Sequence, residues 1–478
     1  MSEIVCTSAW QLSLTDQMEG LSAGALSSES LIRMQIERID RLDPKLNAFV
    51  HHDGVKALAH ARALDEMRNA GIILGPLHGV TLAVKDLFDV RGMPTGGGTR
   101  SKPPRLPDRS ATVVHRLMQA GAIVIGKSQT VEYAFGGWGT NAVMGTPWNP
   151  WDMDVHRVPG GSSSGSAVAV ASGMASAALG SDTGGSVRIP AGLCGLTALK
   201  TSPGLVSRMG LMALCPTHDT VGPMARTAQD CAWLLDAISG PDVADPWTYQ
   251  SRATRAAEKL LRPLKGLRFW RFPEAEYDHC SSEQLAACLR VEQLLERLGL
   301  LGIRQTMPVS CVDATRIAGM LMSAEAYASM GSHVERDELV FDAHVRRRIL
   351  SGRDISAADY LHLMAQRRHL GQAMLDAFMQ ADVLVFPTNT ITAIPVSEVD
   401  ENQYPLSLFG RFVNLMDLCA LALPVGLDAQ GMPLSVQLIA PAGNDELLLA
   451  LGHAIQRVTD WHRFCPPALE AQPSGSLR

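Results

Sequence analysis

Residues 158–191 read VPGGSSSGSAVAVASGMASAALGSDTGGSVRIPA, a stretch built mostly of Gly, Ser and Ala with no charge before Asp182. Repeated Ser and Gly make it a poor membrane span, and its Ala/Val-patterned middle is too apolar for a flexible linker. Three parts are expected: a tight turn over Gly160–Gly165, a helix of small residues over Ser166–Leu179, and a second turn, Asp182-Thr183-Gly184-Gly185-Ser186. Glycine in such a turn permits positive φ and close ligand approach, and consecutive backbone N–H groups form an anion-binding nest. A serine inside its own nest points to acyl transfer, the hydroxyl attacking and the nest holding the oxyanion.

Upstream, GPLHGVTLAVKDLFDVRG (75–92) reads as a turn, a buried strand Val80–Val84, and a lysine, Lys85, at its end. Lysine can act as a base only when neutral, so its pKa must fall from ~10.4 through burial or nearby cations. The apolar flank before Lys85 would bury it. A buried ion pair of Lys85 with Asp86 or with Asp182 fits the spacing equally well. ATVVHRLMQAGAIVIGKSQ (111–129) reads as helix, Gly turn and strand Ala122–Ile125, so strands and helices alternate and an α/β fold is expected.

The rest of the chain fits one sheet-centred domain. LSSESLIRMQIERIDRLD (26–43) begins a helix capped by Ser27/Ser28 and stopped by Asp43-Pro44, and a second helix runs from Gly54 to Ala70. Thr227 caps a helix over Ala228–Ile238. GLRFWRF (266–272) and ADVLVFPT (381–388) read as strands, residues 311–380 are mainly helical, and 424–440 form a hairpin into another strand.

Composition bounds the function. The chain has 478 residues, 46% hydrophobic and 19% charged, with a net charge of −6. That describes a compact globular protein with no electrostatic reason to bind nucleic acid. Arg346-Arg347-Arg348 reads as a solvated helix face. Nine scattered cysteines with no CxxC pair suggest neither a zinc site nor a disulfide framework but buried free thiols in a reducing compartment. MSEIVCTSAW lacks the features of a secretory leader, and no long apolar run is present. A soluble, cytoplasmic protein with no membrane partner is expected.

Two pattern matches fail on context. Gly121–Ser128 fits G-x-x-x-x-G-K-[ST], but the residues between its glycines read as a strand rather than a phosphate-binding loop. Gly161–Gly165 fits G-x-S-x-G around Ser163, but no good strand runs into it.

GGSSSGSAVAVASGMASAALGSDTGGSVRIPA (160–191) and GPLHGVTLAVKDLFDV (75–90) resemble the signature block and lysine segment of the amidase signature family. AGAIVIGKSQTVEYAFGG, GLTALKTSPGLVSRMG and DTVGPMARTAQD match its flanking segments. The resemblance is dense from about residue 20 to 240 and returns in the last strands. It implies a single large domain, with a central mixed β-sheet covered by helices on both faces. Within residues 1–478 it implies an N-terminal helical segment (1–70), a catalytic core (71–240), a helix-rich substrate side (241–380), and C-terminal strands and helix (381–478).

The family's Ser–Ser–Lys triad transfers to Ser186 as nucleophile, Ser162 as bridging serine after a cis peptide bond, and Lys85 as base. The two serines lie 24 residues apart, the family spacing. The backbone N–H groups of Thr183, Gly184, Gly185 and Ser186 match the oxyanion hole. Asp182 and Arg188 match residues that support this loop, and Ser163 matches one that bonds within the network. Ser164 stands where many members have Gly. Gly136, Gly137 and Trp138 match the loop facing the acyl group, although Trp138 could equally fill a core gap. Met320, Met322, Met330 and Met364 fit either a pocket wall or helix core, with core favoured. His218 and Asp219 carry no assigned role.

No metal or organic cofactor is implied. The substrate expected is a small amide, anilide or carbamate, hydrolysed by a stand-alone enzyme, with a homodimer as an allowed assembly. The alternative is the glutaminase (A) subunit of a tRNA-dependent amidotransferase, whose typical segments in the helical middle and tail match less well. A non-catalytic binding protein is disfavoured because Lys85, Ser162 and Ser186 are all intact.

Overall fold

A computed structural model of the protein describes residues 9–403 and 405–469. The leader reading rests on residues 1–10, of which 1–8 lie outside this range, as do the last nine residues of the C-terminal segment. The strands are β1 (Phe49–His52), β2 (Thr81–Lys85), β3 (Ile123–Ser128), β4 (Ala177–Asp182), β5 (Thr197–Lys200), β6 (Thr220–Ala225), β7 (Arg268–Trp270), β8 (Leu301–Ile303), β9 (Val383–Pro387), β10 (Cys419–Leu427) and β11 (Pro433–Ala440). All belong to one 11-stranded sheet in the order β1-β3-β2-β4-β6-β5-β10-β11-β9-β7-β8. Two parallel blocks (β2 with β3 and β4, β7 with β8 and β9) flank an antiparallel run (β4/β6, β5/β6, β10/β5, β10/β11, β11/β9), and β1 adds antiparallel to β3. The sheet is mixed, as expected.

Side chains alternate across a strand, and here both faces are apolar. Leu82 and Val84 of β2 enter one core while Ala83 enters the other, and Leu199 and Ala198 of β5 divide in the same way. Both faces are therefore covered by helices. Those that bear on the site are α1 (Ser28–Leu46), α2 (Gly54–Asn69), α3 (Ser164–Ala171), α4 (Arg188–Leu193), α5 (Cys311–Val334), α6 (Ala343–Leu350), α7 (Ala357–Phe378) and α8 (Arg411–Leu415). Among the described residues no helix is long and apolar enough to cross a membrane, and the eight described cysteines are all free.

Three local expectations change. The small-residue stretch is not one helix over Ser166–Leu179. Helix α3 starts at Ser164 and ends at Ala171, and Ala177 onward forms the central strand β4. Gly173, at φ +65° against Trp10, makes the break. A short apolar run suits a buried strand and a buried helix alike, so periodicity could not choose. Helix α1 passes through Pro44 and ends at Asn47, in the left-handed region at φ 50°. In the last turn Pro44 forfeits only one intrahelical bond. Strand β3 runs on through Gly126-Lys127-Ser128, so the nucleotide-loop pattern is strand for most of its length.

Small residues in α3 allow the close approach that the core needs. A Cβ on Gly165 would collide with the Ala48 carbonyl oxygen and the Gln129 backbone nitrogen. Gly165→Ala should destabilise the fold by about 1–3 kcal/mol, read as a lower urea midpoint with the slope unchanged.

Candidate active site

Lys85 is the last residue of β2 and fully buried. Its Nζ donates to Ser162 Oγ at 2.8 Å and to Ser181 Oγ at 2.9 Å. Neither ion pair considered from the sequence holds it: Asp86 bonds Lys127 Nζ at 2.8 Å, and Asp182 bonds Arg188. Burial pushes the Lys85 amine down to about 7, against the opposing charges of Asp182 and Asp219. A neutral amine near physiological pH can accept a proton.

Ser162 is held by its backbone. The Gly161–Ser162 peptide bond is cis, and the Ser162 carbonyl accepts from Val131 N at 3.2 Å and Thr130 Oγ1 at 3.0 Å. Gly161 N donates to the Gly137 carbonyl at 2.8 Å, and Gly160 N to that of Trp138 at 3.1 Å. The loop carrying Gly136 and Gly137 is thus laced to the turn that aims Ser162.

The second turn leaves β4 at Asp182. Arg188 Nε and Nη2 grip the two Asp182 carboxylate oxygens at 3.0 Å each, with both side chains at 0% exposure. Burial works against the charged carboxylate, but Arg188 and the Gly185 and Val187 N–H groups hold it well below the usual carboxylate range. Arg188 also reaches Gln437 Oε1 at 2.8 Å, Asn414 Oδ1 at 2.7 Å and the Gly410 carbonyl at 3.1 Å. Asp182 and Arg188 therefore brace the loop from beneath.

One oxyanion expectation is corrected here. The Gly185 N–H donates to Asp182 Oδ1 at 2.8 Å, so it stabilises the turn instead of facing a substrate. Gly185 itself is needed for its φ of +119°, where a side chain would strain the backbone. Ser186 closes the turn at 7% exposure, and its carbonyl accepts from Ser163 N at 3.2 Å. Ser163 Oγ donates to the Ser181 carbonyl at 3.3 Å, one strand residue before Asp182.

Ser186 opens on a cavity of about 20 Å³ bordered by Phe135, Gly136, Gly137, Met322, Arg348 and Arg411, room for about one water. A vestibule of about 490 Å³ adjoins it through the shared Phe135, Arg348 and Arg411, with Met320 and Arg316 farther out. Gly136 and Gly137 line the pocket and Trp138 does not. Trp138 packs with Trp151, Val158, Ile189 and Leu193 and donates to the Gln403 carbonyl at 3.3 Å, so it fills a core gap. Met330 and Met364 pack against apolar cores.

Arg348 overturns the reading of the arginine run. Arg346 and Arg347 stay toward solvent, but Arg348 is 8% exposed, donates to the Phe135 carbonyl at 2.8 Å and pairs with Glu401 at 2.5 Å. Helical phase carried the signal: Arg348 lies three residues after buried Val345 and beside buried Ile349. No short motif marks Arg411, Asn414 or Gln437. Cys215, His218 and Glu325 also converge, with ligand atoms within 4.8 Å. Thr217 bonds His218 Nδ1 at 2.8 Å and Glu325 Oε1 at 2.5 Å, which makes this a hydrogen-bonded cluster and not an open ligand set.

A mixed sheet with this serine- and glycine-lined turn at its centre defines an amide-hydrolase class of fold. The chain belongs to the amidase signature family, the Amidase family model matching residues 30–449. It is similar to the A chain of the glutamyl-tRNA(Gln) amidotransferase of Trichodesmium erythraeum, 34% identical across 95% of this chain and 99% of that one. A solved chain from a vestigial protein complex, described as revealing the origins of an s-triazine catabolic enzyme, superposes at TM-score 0.87 with 29% identity, covering 94% and 98% of the two chains. The peptide amidase of Stenotrophomonas maltophilia superposes at TM-score 0.81 with 28% identity, covering 94% and 96%. The likeness to the amidotransferase spans the helical middle and the tail, segments whose sequence had pointed elsewhere.

Truncating Arg188 leaves Asp182 charged and unpaired in the interior. Arg188→Ala should cost about 3–5 kcal/mol of stability, measured by chemical denaturation, and abolish turnover with it.

Proposed function

We propose that the chain hydrolyses the carboxamide of a small, carboxylate-bearing substrate and releases ammonia, acting as the amide-hydrolysing component of an amidotransferase-type assembly. The observation that carries the substrate class is the cationic border of the Ser186 cavity, where Arg411 lies beside Arg348, itself paired with Glu401, because guanidinium groups suit carboxylate recognition. Full-length likeness to the amide-hydrolysing chains of amidotransferases supports the assembly, and glutamine is the first substrate to test. A cytoplasmic location fits the free thiols.

In the proposed mechanism neutral Lys85 takes the Ser162 proton while Ser162 takes that of Ser186. Ser186 Oγ attacks the amide carbon. The N–H groups of Thr183, Gly184 and Ser186 receive the developing oxyanion, in a buried setting where such donors act most strongly. The C–N bond then breaks as the proton returns through Ser162 to the leaving nitrogen, and ammonia departs. Water, giving its proton along the same path, cleaves the Ser186 ester and frees the carboxylic acid.

A second reading, the stand-alone hydrolase expected from the sequence, has one specific support. Among the described residues bordering the cavity there are two arginines and no carboxylate, so its border holds no counter-charge for the ammonium of a free amino acid. Ammonia release from the purified chain separates the two, using glutamine, its desamino analogue 4-carbamoylbutanoate, a neutral aliphatic amide and a carbamate. Turnover of glutamine supports the amidotransferase-type reading. Turnover of the desamino analogue alone supports a stand-alone enzyme, and preference for the neutral substrates overturns carboxylate recognition. Ser186→Ala should abolish turnover in a folded protein, with Lys85→Ala nearly as severe. Activity of Ser186→Ala would move the nucleophile elsewhere.

The pH dependence follows from Lys85, which must be neutral to act. Burial lowers its pKa to about 7, so kcat/KM should rise with pH through about 7. A rise centred near 10 would mean that Lys85 is not the base.

A further inference from the structure

Asp219 has no part in the relay described above, yet it touches the turn that carries Ser186. It immediately precedes β6, whose first residue, Thr220, pairs with Asp182 across β4/β6. That register brings Asp219 alongside Thr183, the first residue of the turn. Thr183 Oγ1 donates to Asp219 Oδ1 at 2.5 Å. The other carboxylate oxygen accepts from Leu214 N at 2.9 Å and Cys215 N at 3.1 Å. Asp219 N returns to the Cys215 carbonyl at 2.9 Å, so the 214–219 turn is wound around the carboxylate. The group is 6% exposed.

We propose that Asp219 is a positioning residue for the reaction, steadying the oxyanion turn through its bond from Thr183, and that its charge limits the pH range in which Lys85 acts as base. This rests on Lys85 and Ser186 acting as proposed above.

The contrast with Asp182 carries the electrostatic half. Both carboxylates act on Lys85. Asp182 is gripped by Arg188, whose positive charge opposes its field. The hydrogen-bond partners of Asp219 are one hydroxyl and two backbone N–H groups. Arg208 approaches only from outside, donating to the Asp219 and Pro216 carbonyls. Arg367 donates to the Thr217 carbonyl at 2.9 Å on the far side of this turn, whereas burial pushes His218 down to about 3 and keeps it neutral, and it pushes the Cys215 thiol well up. Glu325 faces Thr217. On the lysine side, Ser162 and Ser181 supply neutral hydroxyls. Asp219 is thus the buried negative charge near Lys85 without a guanidinium gripping its carboxylate.

Burial raises Asp219 to about 6, against the bonds from Thr183, Cys215 and Leu214. The sign of its effect is fixed. A carboxylate near a lysine favours the ammonium form, so removing that charge lowers the lysine pKa and keeps the amine neutral to lower pH.

The test follows the rate at which phenylmethanesulfonyl fluoride labels Ser186, read by intact mass on the full chain across pH. Ser186 Oγ bonds to sulfur, fluoride leaves, and the serine proton passes toward Lys85, so the measurement needs no substrate. In the wild type the rate should rise through about pH 7, and Ser186→Ala should remain unlabelled. Asp219→Asn should move that rise down by about one pH unit; a folded variant whose profile stays in place overturns the proposal.

Thr183→Val keeps the charge and removes the bond. It should label about tenfold more slowly at about pH 9, where Lys85 is neutral in both proteins, and an unchanged rate overturns the positioning role even if Asp219→Asn fails to fold. Labelling that ignores Ser186→Ala would overturn the underlying serine assignment and this proposal together. Failure of Asp219→Asn or Thr183→Val alone would overturn only this proposal.

Discussion

The buried pair of Asp182 and Arg188 is the constraint on which the site depends. Two opposite charges at 0% exposure are stable only if every remaining donor and acceptor is met, because their desolvation is expensive. Here the carboxylate is met by Arg188, the Gly185 and Val187 N–H groups and the Asn414 amide. The guanidinium is met by Gln437, Asn414 and the Gly410 carbonyl. The pair converts a glycine-rich turn, intrinsically floppy, into one with a fixed set of exposed donors. It also explains why Gly185 offers no N–H to a substrate: that donor is spent on rigidity.

The same interior governs Lys85. A lysine with no acid in direct hydrogen-bonded contact tilts toward neutrality, and two hydroxyls at 2.8 and 2.9 Å give the neutral amine its partners. Lys127 holds Asp86 at 2.8 Å, so the acid next in sequence is paired elsewhere. The site therefore depends on a division of labour between two buried lysines, one paired and one not.

The sequence made the chemistry legible where the chemistry is local. Lys85, Ser162, Asp182 and Ser186 sit in two continuous stretches whose glycines and flanking strands announce their geometry. The error over Ala177–Asp182 shows the limit of that reading. Small residues suit a helix, a turn and a buried strand alike, and only the pairing of β4 with β2 and β6 decides. Arg348 was misjudged because a run of three arginines hides its phase, whereas the buried Val345 and Ile349 around it disclose an inward face. Arg411, Asn414 and Gln437 were out of reach, since each lies more than two hundred residues from the turn it supports. Trp138 shows the converse: a position matched by its motif packs into a hydrophobic cluster and misses the pocket.

That long reach has a consequence for how the protein is made. Strand β10 pairs with β5 across more than two hundred residues of intervening chain, and the braces at 410, 414 and 437 come from that same late segment. A nascent chain with residues only as far as Ala225 outside the ribosome would carry Lys85, Ser162, Ser186 and the Asp182–Arg188 pair, but not the Gly410, Asn414 and Gln437 groups that meet the rest of the guanidinium. Its turn would lack the outer braces at 410, 414 and 437, and its pocket would lack both arginines. The bracing of the turn is thus completed only when the last strands of the sheet have joined it.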